Sequence, residues 1–297
     1  MNSPVQAEVT SFPRGSAFSY FLRYWQLCVL GGLTVWLYWP TIVHLVGQWA
    51  HDRDFSHGFF VPLFSAFVVG QDRNRLARVN WQPSWSGAIL LALALVILIV
   101  GQMGAELFLS RSSLLVLLAG LIVLLAGWKV FRALLFPWAF LFLMIPIPAI
   151  IFNQITFPLQ ILASKVAAGI LPIFGVPVLR QGNVMILASM ALEVADACSG
   201  IRSLMSLATL AIIYGYLVER RLWARYLLAL ASVPVAVAAN SCRIITTGLM
   251  VQYWDPDKAE GEFHTSWGWI VFVTSLLMLY GLHSLIRWIW PDEGSHS

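Results

Sequence analysis

Three residues able to do chemistry, Cys198, Arg243 and His264, each stand where polar sequence meets a long apolar run. A polar group at the edge of the hydrocarbon layer is costly to keep unless it has a partner or a task. A thiol, a guanidinium of fixed charge and an imidazole are the groups that cysteine chemistry needs: nucleophile, charge stabiliser and proton carrier.

Cys198 lies in ADACSGIRSL. There Asp196 or Ser199 can cap the following helix, and Gly200 permits close backbone approach. A thiol at a helix N-terminus feels the positive end of the helix dipole, which favours the thiolate. Arg202, four residues on and so on the same helical face, acts in the same direction. Arg243 lies in AANSCRI, with Asn240 three residues before it on one face of a helix. Both can donate hydrogen bonds to a developing oxyanion. His264, in GEFHTSWGW, can take a thiol proton and return it to a leaving amine. Each residue also has a plainer explanation: a packing cysteine, an arginine snorkelling to headgroups, an interfacial histidine beside Trp267 and Trp269. The remaining cysteines are Cys28, which reads as packing within the first apolar run, and Cys242. The latter is the rival nucleophile, but it points about 100° away from Arg243 around the helix.

The elements that must position these residues are membrane helices. Hydrophobic residues make up 59% of the 297-residue chain and charged residues 11%, and the mean hydropathy is +0.78, which excludes a soluble domain of this length. The opening residues lack the order of a cleavable signal peptide, so the first span is expected to act as its own targeting signal. Apolar runs of bilayer length predict about eight spans, near residues 26–47, 57–71, 86–105, 112–128, 131–148, 199–218, 224–249 and 266–290. The second is short. An N-terminus inside the cell places 11 of the 18 Lys and Arg residues in the cytoplasm, as basic residues prefer. Both termini are then cytoplasmic, with residues 1–25 as an N-terminal segment, and Cys198, Arg243 and His264 all fall on the outer side. The pI of about 9.1 is explained by this asymmetry, and no nucleic-acid partner is expected.

Residues 149–197 lie outside in this scheme. Their apolar first half, interrupted by Asn153, Gln154, Gln160, Ser164 and Lys165, predicts an amphipathic helix in the outer interface. The short runs that follow, separated by Gly175, Pro177 and Gly182, predict a small β-hairpin cap. MIPIP, Met144–Pro148, marks a helix exit or a kink. The expected architecture is thus an all-α polytopic membrane protein in a single integral membrane domain over residues 1–297. It has about eight transmembrane helices, an outer interfacial helix and a small extracytoplasmic β-hairpin.

Two other function classes need weighing. His51, Asp52, Asp54 and His57 in HDRDFSH have metal-ligand chemistry and suggest a metal-dependent membrane hydrolase, although their spacing follows no strong zinc pattern. A transporter or a polysaccharide-export component without catalysis is the other. Its sites usually lie near the midplane between related halves, whereas this chain shows no internal repeat and keeps its acids near the boundaries.

Five segments, in order, resemble the motifs of the exosortase and archaeosortase family: WAHDRDFSHGFFVPL with its Ser56-His57-Gly58 stretch, FLMIPIP, VADACSGIRSL, ANSCRI and HTSWGW. They run from about Trp49 to Gly268. The resemblance implies a membrane-embedded cysteine protease and transpeptidase of the bacterial inner membrane, acting without metal or cofactor on its periplasmic side and associated with exopolysaccharide systems. Its catalytic residues carry over onto Cys198, Arg243 and His264. Asn240, Arg202, Arg180 and His57 are candidates for oxyanion or substrate binding, with Arg180 or Arg202 meeting a substrate glutamate. The implied substrates are exported proteins ending in a Pro-Glu-Pro motif, a transmembrane helix and a basic tail. A thioester acyl-enzyme would pass to an unknown acceptor nucleophile.

Overall fold

The computed structural model describes residues 17–188, 190–193, 200–254 and 262–291. It is a multi-pass, all-α membrane fold with one small sheet. Among the described residues six helices are long and apolar enough to cross a membrane: Cys28–His51, Ser86–Met103, Leu107–Leu125, Ala149–Phe174, Leu222–Tyr253 and Gly268–Ile289. Two apolar stretches, Leu135–Met144 and Leu204–Val218, are shorter.

The chain divides into two compact units, through His44 and from Leu45. The first holds most of helix α1, Ala17–His51, on which Leu33, Trp36 and Trp39 are exposed, as lipid-facing side chains are. Cys28 is exposed on this helix, not packed as its apolar surroundings suggest.

The second unit holds everything else. Its second expected span is a 3-10 turn, Arg53–Phe59, followed by α2, Phe60–Gln71, of only 12 residues. At about 1.5 Å per residue such a helix is well short of a bilayer core of about 30 Å. After α3, Arg73–Ala77, come α4, Ser86–Met103, and α5, Leu107–Leu125, which pair as a tight hairpin. Small residues set that distance: a Cβ at Gly87 would collide with the backbone of Leu124, and one at Gly120 would lie 3.0 Å from the Leu91 nitrogen.

The fifth expected span is broken into α6, Trp128–Ala133, α7, Leu135–Phe140, and a 3-10 turn, Leu141–Met144. Pro146 and Pro148 cannot continue a helix. The chain accordingly turns extended at Ile145, with φ −89° and ψ 118°, before α8 begins at Ala149. The helix exit read from MIPIP is therefore present.

The helix expected after it is also present, as α8, Ala149–Ile170, but it does not lie across the bundle. It runs lengthwise along α10, Leu222–Tyr253. Thr156 and Gln160 sit near Ala236 and Asn240, Ala163 and Ala167 share a core with Ile244 and Val251, and the Tyr253 hydroxyl donates to the Phe174 carbonyl at 2.7 Å. Rising numbers meet rising numbers, so the two helices are parallel. Apolarity foretells that α8 is buried or lipid-bound, but not the direction in which it packs.

The expected hairpin gains a third strand. β1, Val178–Gln181, β2, Val184–Leu187, and β3, Ala191–Glu193, form an antiparallel sheet in that order. Gly182, at φ 65°, makes the first turn in a conformation that glycine adopts without a Cβ clash. Val176, Met185, Leu187 and Leu192 bury against α8 and α10. The sheet thereby sits on the ends of these helices.

Helices α9, Gly200–Val218, α10, and α11, Glu262–Ile289, form an antiparallel group. At one end Ala211 packs with Ala224, Leu228, Leu279 and Ile286. Further along, Leu204 and Leu207 meet Val235, Ala236 and Leu276. Continuing that ladder brings the start of α9, the Asn240–Arg243 turn and the start of α11 to one end of the group.

Candidate active site

Arg243 is 6% exposed, although its guanidinium could have snorkelled to a surface. It lies instead against α11: a Cβ at Gly268 would stand 3.8 Å from Nη2, 3.9 Å from Cζ and 4.0 Å from Nη1. His264 precedes Gly268 by four residues in the same helix, so its backbone position falls on the same face, one turn nearer the helix start. The Arg243 side chain and the helical turn bearing His264 are thus brought together. Cys198 lies outside the described residues, two positions before α9 begins at Gly200. The side chains of Arg202 and His264 also lie outside them, as do Asp196 and Ser199.

Asn240, one turn before Arg243, is buried and its Oδ1 has no hydrogen-bond partner. Cys242 is exposed, on a different face from buried Arg243, as the helical spacing predicts. Arg180 is exposed on β1 and donates through Nη1 to the Gly182 carbonyl at 2.8 Å, which makes it a brace for its own turn.

The Ser56-His57-Gly58 stretch has a structural task. His57 is buried and its Nε2–H donates to the Leu143 carbonyl at 3.2 Å, while the Trp49 indole N–H donates to the Met144 carbonyl at 2.9 Å. A Cβ at Gly58 would collide with the Trp49 ring, so only glycine lets the indole lie there. Two carbonyls released where the fifth span ends are thereby satisfied by side chains from the end of α1 and the 3-10 turn after it. Burial lowers the His57 pKa, against a smaller opposing effect of the Leu143 and Asp54 carbonyls, so the ring is neutral at neutral pH.

Two further polar side chains here make local hydrogen bonds. Asp52 accepts from the Asp54 N–H at 2.9 Å, capping the 3-10 turn, and His51 Nδ1 pairs with the Gly47 carbonyl at 2.8 Å. Among the described residues no three His, Cys, Asp or Glu side chains gather into a set able to hold a metal.

One polar cluster escaped the sequence reading. At the opposite end of the three-helix group the Tyr214 hydroxyl and His283 Nδ1 are 2.6 Å apart, and His283 Nε2 lies 3.2 Å from Glu219 Oε2. Glu219 and His283 are 4% and 2% exposed. Burial alone would raise the Glu219 pKa. Hydrogen bonds from the Arg221 N–H, His283 and the Arg220 N–H outweigh it and hold the carboxyl below its ordinary value. A histidine inside the last apolar run was the available signal.

No curated protein and no solved structure matches the chain. The family model described as transmembrane exosortase (Exosortase_EpsH) matches residues 49–281, a stretch that begins at the Trp49 loop and takes in Arg243, His264 and Gly268. A match over most of the sequence, on a multi-pass helical fold, places the chain in the transmembrane exosortase family.

Proposed function

We propose that this exosortase is a membrane-embedded cysteine transpeptidase that cleaves C-terminal Pro-Glu-Pro sorting signals of exported proteins at the outer face of the inner membrane. Cys198 attacks the scissile carbonyl as its thiolate, forming the S–C bond. His264 takes the thiol proton and delivers it to the leaving amine as the C–N bond breaks. Arg243, as a fixed-charge donor, stabilises the tetrahedral oxyanion. An acceptor amine or water then releases the acyl group from the thioester.

The observation that carries this reading is the contact of the buried Arg243 guanidinium with the Gly268 position, one helical turn from His264. A charge withdrawn from solvent and set beside the turn of a proton carrier suits a site where negative charge develops. Both termini would be cytoplasmic, with the substrate helix beside the bundle and its basic tail inside.

Incubating the purified enzyme with a sorting-signal peptide and mapping covalent adducts by mass spectrometry tests the assignment. An acyl adduct on Cys198, lost in Cys198→Ala, is expected. An adduct on Cys242, or turnover by Cys198→Ala, removes Cys198 from the role.

A further inference from the structure

The small sheet ends in a strand that leads to the proposed nucleophile. Among the described residues β3, Ala191–Glu193, pairs with β2 alone, which leaves its other edge open. Cys198 follows Glu193 by five positions. At no more than about 3.6 Å per residue the two lie within about 18 Å of one another, whatever the path between them.

Register decides which backbone groups face that edge. The Leu187 N–H donates to the Met190 carbonyl at 2.9 Å, so these two residues form a hydrogen-bonded pair where β2 passes into β3. In an antiparallel ladder such pairs alternate with pairs that share no hydrogen bond. Met185 and Leu192 are therefore the next bonded pair, whereas Ile186 opposite Ala191 and Val184 opposite Glu193 are not bonded. The N–H and C=O of Ala191 and of Glu193 consequently point away from β2, toward the open edge. No hydrogen bond among the described residues takes them up. Leu192 is buried and anchors the strand, while Ala191 is exposed, with only a methyl group beside the approach. A row of unpaired groups of this kind is a template for an added strand.

The proposed substrate is unusual material for a strand. Proline has no N–H to give, and in sheets it is confined to positions whose nitrogen faces away from the ladder. In an extended chain the N–H and C=O of one residue point to one side and those of its neighbours to the other. The glutamate of Pro-Glu-Pro can thus turn both its groups to an edge while both prolines turn away. One peptide residue then supplies one donor and one acceptor, and the prolines keep any further strand from joining. Standing before a proline, the glutamate is already biased toward extended backbone, so docking orders little that was free.

We infer that the open edge of β3 is the docking site of the sorting signal, which adds as a fourth strand with the backbone of its glutamate bonded to the Ala191–Glu193 edge. The inference rests on the transpeptidase reading above, whose substrate it takes.

Binding is measured on the full-length Cys198→Ala enzyme, so that no bond is cut, with a sorting-signal peptide as probe. Replacing the amide between the first proline and the glutamate by an ester removes the glutamate N–H and keeps its charge. Kd is expected to rise about tenfold, the equivalent of one hydrogen bond. Ala191→Pro puts a ring carbon where an N–H faced the edge and spares the ladder to β2. It should weaken binding about tenfold or more at an unchanged thermal midpoint. Arg180→Pro makes the matching change on the outer edge of β1 and should leave Kd within about twofold. An ester peptide that binds as tightly as the amide overturns the docking, as does unchanged binding by folded Ala191→Pro or an equal loss in Arg180→Pro. Where Ala191→Pro does not fold, the ester peptide alone decides. Absence of a Cys198 adduct in the unsubstituted enzyme sinks the thiol reading itself. The strand edge alone falls when that adduct forms and the ester peptide keeps its affinity.

Discussion

Gly268 leaves just enough room for the Arg243 guanidinium: a methyl group there would make ordinary contacts at 3.8 to 4.0 Å, and anything longer would have to displace it. The glycine thus sets where the positive charge sits relative to the turn that carries His264.

Gly268→Ala should keep kcat/KM for a sorting-signal peptide within about threefold, because only van der Waals contact is added. Gly268→Leu should lower kcat by about 100-fold, comparable to losing one oxyanion donor. Steady-state kinetics on both variants checks this, and equal losses in the two would remove the steric explanation.

Arg243→Lys keeps the charge but loses the planar fork and its length. We expect kcat to fall by about 100-fold or more, with the variant still able to bind peptide in a pull-down. Full activity would mean that charge alone suffices.

Gly58→Ala forces the Trp49 ring out of its place and should destabilise the fold by about 1–3 kcal/mol. Trp49→Phe removes the donor to the Met144 carbonyl and should cost a similar amount by leaving that carbonyl unpaired. Thermal midpoints in detergent measure both.

Acid should weaken the protein at two places in separate windows. A lowered pKa means that the unfolded chain takes up the proton first as pH falls, so stability is lost downward in both cases. For His57 the contribution is whole above about pH 6.5 and declines below it. For Glu219 it is whole above about pH 4.5 and declines below that. His57→Gln should flatten the stability profile between pH 5 and 7, whereas Glu219→Gln should flatten only the more acid part while costing about 2 kcal/mol at neutral pH. Thermal midpoints across a pH series distinguish the two.

The all-α membrane class could be read from composition and apolar runs, and the polar residues near Arg243 could be picked out by type. Arg243 and His264 were legible because a charge and an imidazole at the edge of an apolar run are conspicuous against it, and the antiparallel order of the last three helices follows from their short connections. The break at Ile145–Pro148 was legible from its prolines. The parallel packing of α8 on α10 was not, because it depends on which small residues meet, such as Ala163 and Ala167 against Ile244, and composition does not encode direction. The pairing of Glu219 with His283 spans 64 residues, and no local spacing announces it. The local hydrogen bonds of His51, Asp52 and His57 could not be read from HDRDFSH, since these residue types are the same whether they bind an ion or tie down a loop.

The joint between the Trp49–Gly58 loop and the broken fifth span carries a consequence for how this protein can vary. The chain interruption at Ile145 leaves carbonyls that lipid cannot satisfy, and Trp49 and His57 reach from a distant part of the chain to satisfy them. Removing either donor strands an acceptor; restoring a continuous helix would strand both donors. The two segments should therefore behave as one unit of inheritance, with substitutions in the loop and in the proline segment costing less together than the sum of each alone.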